Sequence, residues 1–197
     1  MRVAVLSSGG KDSAAAWWWA RCKGWTVDCL VTVTITGYDS PMFQIPSTHL
    51  VERQAALADV PWVEVRTSGE VPDDLDALAQ ALRGRAIDGF VSGALRSDYQ
   101  KSRLERMADE LGIVSWTPLW HQSGHEHLRA MIEHGFEIMI TGVSAEGLTE
   151  AWLGRILTKE SFEELAALEV SREVPDISGS LEAVKDVIDL KHAEREG

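Results

Sequence analysis

The sequence predicts a doubly wound α/β protein: a parallel sheet of about five strands, helices on both faces, and a small C-terminal appendage. Two observations carry this expectation. Short runs rich in Val, Ile and Thr alternate with helical patterns from Val3 to Thr141, as βαβ units do when helices cover both faces of a sheet. The first apolar run also ends in Ser7-Ser8-Gly9-Gly10-Lys11-Asp12-Ser13 and passes at once into a helical pattern. That is the order strand, tight loop, helix start.

Taken in order, Val3 to Leu6 is the first strand, and a helix from about Asp12 to Lys23 closes at Gly24, a favoured residue just beyond a helix end. On a 3.6-residue wheel Ala15, Trp18 and Cys22 share one face. Trp18 is therefore expected to pack on the sheet, with Trp17 and Trp19 at its margins and Cys22 as a small buried hydrophobe; a ligand or partner surface is the alternative use of the three tryptophans. Val27 to Ile35 is the second strand, and Tyr38 to Pro46, with two prolines, is a loop. Ser47 is placed to cap a helix to about Ala58. Trp62 to Thr67 is a third strand and Pro72 to Arg83 a helix. Ile87 to Ser92 is a fourth strand, followed by a helix from Asp98 to Leu111 closed by Gly112. Val114 to Thr117 is a short fifth strand, His125 to His134 a helix, and Phe136 to Thr141 another strand. After Val174 strand character is slight, and Leu181 to Glu196 reads as one amphipathic helix. The predicted division is an α/β domain over 1–143 and a substrate-side loop with a helical appendage over 144–197.

The chain has 197 residues, 45% hydrophobic and 25% charged, which is enough for a sizeable core. Its formal charge of −12 disfavours loose binding to nucleic acid or anionic membranes, because neutralising phosphates takes clustered Lys and Arg. Two cysteines, Cys22 and Cys29, with no C-x-x-C imply neither a disulfide framework nor a zinc knuckle, and a reducing cytoplasm is the expected compartment. No secretory leader or membrane-spanning run is read in the sequence. His121, His125 and His127 lack a second cluster of ligands nearby, so a polar loop is preferred to a zinc site.

The chemistry begins at the glycine loop. Gly9 and Gly10 permit a tight turn close to a ligand, and the amides of Gly10 to Ser13 open a helix whose dipole favours an anion. Lys11 adds a positive charge, and Ser8 and Ser13 add hydroxyls. Ser8, Gly9, Gly10, Lys11, Asp12 and Ser13 form a phosphate cradle without the Walker A pattern. In parallel sheets ligands bind beyond the strand carboxyl ends, at the switch point, which places Thr34, Gly93 and Ala94 toward the same crevice. A second polar segment, Gly93 to Arg106, offers Ser97, Tyr99, Gln100 and Arg103 for a carboxylate or phosphate. A third, Ala145 to Arg155, mixes Glu146, Gly147, Leu148, Glu150, Trp152, Gly154 and Arg155. Either glutamate there could serve as acid, base or magnesium ligand.

Ser8-Gly9-Gly10-x-Asp12-Ser13 resembles the PP-loop of the N-type ATP pyrophosphatase superfamily. Together with Gly93 to Glu105, Pro118-Leu119-Trp120, Thr48-His49-Leu50 and Ala145 to Arg155, it resembles the diphthine–ammonia ligase family over roughly residues 1 to 160. The family's later glycine- and glutamate-rich segment has no counterpart in Arg172 to Leu181. The resemblance implies an adenine nucleotide alpha hydrolase-like fold and an ATP-dependent ligase that adenylates a carboxylate. That carboxylate is expected to be diphthine on an elongation factor, with ammonia as the second substrate and AMP and pyrophosphate as products. The implied cofactors are ATP and Mg2+, with Asp12 as a magnesium ligand or loop-ordering group. Lys11 would stabilise the leaving pyrophosphate, and Tyr99, Gln100, Arg103 and Arg155 would hold the acceptor or the adenylate. Glu146 or Glu150 would take protons from ammonium. Alternatives are adenylation of another acid or of an RNA base, or a nucleotide-binding sensor without turnover.

Overall fold

The computed structural model describes residues 1–37, 40, 42–43, 48–70, 73–143, 148–170 and 186–188. The chain divides into two compact units, Met1–His121 and Gln122–Gly197. The sequence-based division at 143 differs, because the helix and strand after His121 group with the second unit.

The first unit runs β1 (Arg2–Leu6), α1 (Lys11–Cys22), β2 (Thr26–Ile35), α2 (Leu50–Leu57), β3 (Trp62–Thr67), α3 (Asp73–Leu82), β4 (Gly89–Ser92), α4 (Asp98–Leu111) and β5 (Val114–Trp116). The strands form a parallel sheet in the order β3-β2-β1-β4-β5. The order reverses between β1 and β4, which is where such sheets open a crevice at their carboxyl ends. Alternating side chains send Val3, Val5, Leu30 and Val91 to one face, against Ala16 and Ala20 of α1 and Val51 and Ala55 of α2. Ala4, Val31, Val33, Val65 and Phe90 face the other way, against Leu78 and Leu82 of α3 and Leu104, Met107 and Ala108 of α4. Two dry layers thus hold the sheet, each fed by every second strand residue.

Helix α1 is turned differently from the wheel's expectation. Ser13, Ala15, Ala16 and Ala20 are its buried residues, whereas Trp18 is 39% exposed and Cys22 is exposed. Small side chains let the helix axis approach the sheet closely, and Trp17 and Trp19 flank it as partly buried partners of that core. Trp19 meets Trp25 edge-on at 5.1 Å, and Trp25 meets Trp116 at 4.8 Å, within the range of favourable aromatic pairs. Cys29, not Cys22, is the buried cysteine; burial pushes its thiol up to about 11.

At the amino end of the sheet, Asp28 accepts from Arg2 Nε at 2.8 Å and from Arg85 Nη1 at 2.9 Å. Burial alone would raise its pKa, but the hydrogen bonds and charges of the two arginines outweigh it and hold the carboxyl below the usual range. A depressed carboxylate stabilises the fold above its unfolded pKa of about 3.9, and that contribution fades as pH falls through the lower folded value. Asp28→Asn is expected to cost about 1–3 kcal/mol near pH 7. Thermal melts should show the gap from wild type narrowing by pH 3; a gap undiminished in acid would remove the ionic account.

The second unit contains α5 (Gly124–Glu133), β6 (Ile138–Ile140), α6 (Lys159–Val170) and β7 (Asp186–Ile188). Strand β6 pairs antiparallel with β7, so it starts a separate small sheet rather than extending the first one. On its other side residues 154–157 run along it, with Gly154 N–H donating to Ile140 O at 2.8 Å and Leu157 N–H to Ile138 O at 2.7 Å. The helix expected over Leu181 to Glu196 is contradicted at Asp186–Ile188, which are strand; an open β6 edge overrides local helical patterning. The remainder of that segment and Ser47, the expected cap of α2, lie outside the described residues. Leu128, Met131, Ile138, Ile140, Leu157, Phe162 and Leu165 are buried in this unit. Thr158 and Ser161 cap α6 reciprocally, N–H to Oγ at 2.8 Å and 3.2 Å. Among the described residues no helix is long and apolar enough to cross a membrane.

Candidate functional site

The glycine loop closes β1 and opens α1 at the switch point. Ser7 N–H continues the strand ladder to Val31 O at 2.9 Å, after which Gly9 takes φ +84°, a conformation that glycine adopts without steric cost. Gly9 N–H donates to Ser7 Oγ at 3.3 Å. Gly10 is the residue before the helix, extended at φ −85° and ψ 173°, and no side chain caps the turn. Its carbonyl accepts from Ala14 N–H at 3.1 Å and from Ser13 Oγ at 2.9 Å. Ser13 is thereby spent inside the loop, in contact also with Ser7 Oγ at 3.4 Å. Lys11 Nζ lies 3.4 Å from Asp12 Oδ2, and the lysine side chain is 15% exposed. A helix N-terminus without a side-chain cap, beside a cation, is the donor set that an anion needs.

Gly93, just past β4, lies directly against this loop. A Cβ there would sit 2.6 Å from Asp12 C and 2.7 Å from Asp12 O and Ser13 N. Gly93 thus packs backbone on backbone against Asp12 and Ser13 rather than facing the loop across an open gap. Next to it the Ser92 hydroxyl is buried with no hydrogen-bond partner among the described residues. Thr34, near the carboxyl end of β2, donates to Glu64 Oε1 at 2.9 Å. Arg66 also bonds Glu64 at 2.9 Å, and this bond, with Thr34's, outweighs burial to hold the Glu64 carboxyl below its usual pKa.

The second predicted cluster stands at the start of α4. Ser97 is the helix cap, accepting from Gln100 N–H at 3.3 Å, while Gly93 and Ala94 lie in the connection before it. Gln100 has a structural partner: its Nε2 donates to Met42 O at 2.9 Å. Tyr99 is 40% exposed, and the Arg103 guanidinium lies 3.4 Å over its ring and reaches Tyr99 O at 3.2 Å. Arg103 and Tyr99 thus form one stacked unit, with the guanidinium plane held by the ring.

Of the third cluster, Leu148, Glu150, Trp152, Gly154 and Arg155 belong to the second unit; Glu146 and Gly147 lie outside the described residues. Glu150–Trp152 form a single 3-10 turn. Trp152 is 7% exposed, and Arg155 stacks over its ring at 4.0 Å while pairing with Glu164 Oε2 at 2.7 Å. Gly154, at φ +76°, turns the chain back along β6.

Two participants carried no sequence signal. Gln54 of α2, 9% exposed, donates from Nε2 to Gly9 O at 3.2 Å. Asp74 of α3, fully buried, accepts from Thr67 Oγ1, from Gly69 N–H at 3.2 Å and from Ser40 Oγ at 3.3 Å. Ser40 Oγ in turn accepts from Met42 and Phe43 N–H at 3.2 Å and 3.1 Å. Among the described residues no group of three or more His, Cys, Asp or Glu is placed to hold a metal ion.

The fold and this loop define a doubly wound α/β protein with a glycine loop at the switch point of its parallel sheet. Residues 1–115 match the diphthamide synthase N-terminal domain and residues 123–190 the diphthamide synthase C-terminal domain; the chain belongs to the diphthamide synthase family. The match past residue 160 extends the likeness beyond the reach read from the motifs. Similar proteins include diphthine–ammonia ligases of Rattus norvegicus, at 29% identity, and Homo sapiens, at 28%. In both, the match covers 80% of this chain and 67% of the relative. Among solved structures, a predicted subunit of tRNA methyltransferase from Methanocaldococcus jannaschii shares the fold. Its TM-score is 0.50 at 17% identity, over 97% of this chain and 98% of that one.

Proposed function

We propose that the protein is an ATP-dependent carboxylate–ammonia ligase that forms AMP, with diphthine of an elongation factor as the acceptor. The observation that carries this reading is the capless α1 N-terminus with Lys11, braced by Gly93 at the switch point of a diphthamide synthase family chain. The acceptor carboxylate attacks the α-phosphorus, the bond to the β-phosphate oxygen breaks, and pyrophosphate leaves with that electron pair. Ammonia then attacks the acyl carbon, AMP departs, and one proton is given up from nitrogen.

The loop amides and Lys11 stabilise charge that grows on the departing pyrophosphate, where fixed donors act most strongly. Asp12 would hold magnesium, which offsets phosphate charge when bound. The Tyr99–Arg103 stack presents a guanidinium fork to the acceptor carboxylate or adenylate phosphate. Ser97 caps α4 and Gln100 Nε2 ties its start to Met42 O, and both would line the acceptor side beside that stack. Glu146 or Glu150 would accept the ammonium proton, and Arg155 with Leu148, Trp152 and Gly154 would complete the acceptor side. Transfer to an acid other than diphthine is the second reading, favoured by the divergent Arg172 to Leu181.

The test is incubation with magnesium ATP and ammonium, with and without a diphthine-bearing elongation factor, identifying the nucleotide products. AMP and pyrophosphate that appear only with that acceptor, alongside amide, are the expected result. AMP formed independently of it would redirect the search to another acid. ATP bound yet intact with every acceptor tried would sink the ligase reading and leave a sensor.

A further inference from the structure

We infer that Gln54 is a positioning residue: it fixes the orientation of the Gly9–Gly10 peptide and so aims the Gly10 N–H at a polyphosphate in the cradle. This rests on the nucleotide reading above. A trans peptide is planar, with its C=O and N–H pointing to opposite sides. Holding the Gly9 carbonyl toward Gln54 at 3.2 Å therefore turns the Gly10 N–H the other way.

The peptide needs such a tether because glycine stands on both sides of it. With no Cβ on either residue, the plane can flip at little steric cost. The peptides around it are already fixed: Gly9 N–H bonds Ser7 Oγ, and Gly10 O accepts from Ala14 N–H and Ser13 Oγ. The Gly9 carbonyl is the point at which a separate element intervenes. Gln54 sits on the buried face of α2 beside Val51 and Ala55, which are 0% and 1% exposed. A buried amide on an apolar face is unfavourable unless it is hydrogen-bonded, so the Gln54 contact is the state the packing favours. The tether comes from 45 residues away in sequence and links the position of α2 to the aim of the loop.

The test uses the full chain with Gln54→Leu, close in size but with no donor, and Gln54→Glu, whose carboxylate cannot donate to a carbonyl. Binding of inorganic pyrophosphate and of adenosine is measured by calorimetry, with thermal melts of the free proteins. Loss of one hydrogen bond predicts about a tenfold weaker pyrophosphate affinity for Gln54→Leu and a larger loss for Gln54→Glu. Adenosine, which carries no phosphate, should bind both variants as it binds wild type. The Gly10 amide resonance of labelled, ligand-free Gln54→Leu should broaden or split as the peptide samples two orientations. Unchanged pyrophosphate affinity, an equal loss for adenosine, or an unaltered Gly10 amide would each overturn the positioning role. Wild type that binds neither adenosine nor pyrophosphate would instead overturn the nucleotide reading, while the amide signal still decides whether Gln54 sets the peptide.

Discussion

Gly93→Ala is expected to cripple the site while leaving most of the fold recognisable. The added methyl would stand 2.6–2.7 Å from Asp12 C, Asp12 O and Ser13 N, all of them backbone atoms that no rotamer change can move aside. Relief has to come from a shift of α1 or of the chain after β4. Overpacking of this kind costs about 1–3 kcal/mol. Catalysis should suffer more, because the atoms displaced belong to the first turn of the cradle. A shift approaching 1 Å costs on the order of a hundredfold in rate. Calorimetric titration with pyrophosphate, beside a turnover assay, reads both effects. Wild-type affinity and rate in Gly93→Ala would mean that the close approach has no part in the chemistry.

Lys11→Ala is the second large expectation. The side chain is mostly buried next to Asp12, at the place where negative charge would build on departing pyrophosphate. Removing one such stabilising group typically lowers turnover by about 10²–10³-fold. The apolar layers use none of its atoms, so thermal stability should stay close to that of wild type. Lys11→Arg keeps the charge at a different reach and should recover part of the rate. If AMP formation by Lys11→Ala stays near normal, Lys11 leaves the catalytic set.

What the sequence revealed and what it hid follow from the range of the interactions. Trp62–Thr67 and Asp98–Leu111 fall where their patterns put them, because a two-residue alternation and a capped helical period are local signals. The glycine loop was legible for the same reason. Trp18 stands outward against the wheel's expectation because a wheel weighs hydrophobicity, whereas a helix that must lie close to a sheet turns its alanines inward. Gln54 and the link from Asp74 to Ser40 carry no local signal, because the partners are 45 and 34 positions distant and ordinary polar residues in a helix announce nothing. Strand β7 was missed because its partner edge exists only after β6 has formed.

The hydrogen bonds gathered by Asp74 give the rim of the sheet a property beyond stability. Thr67 at the end of β3, Gly69 beyond it, Ser40 after β2 and, through Met42, Gln100 at the head of α4 are joined in one chain of contacts. Three segments far apart in sequence therefore act as one component. Exchanging the loop after β2 alone would remove the Ser40 partner of Asp74 Oδ2 and the Met42 carbonyl that Gln100 Nε2 uses. A successful graft has to carry Ser40, Asp74 and Gln100 as a set, because a change to one leaves the polar groups of the others without their partners.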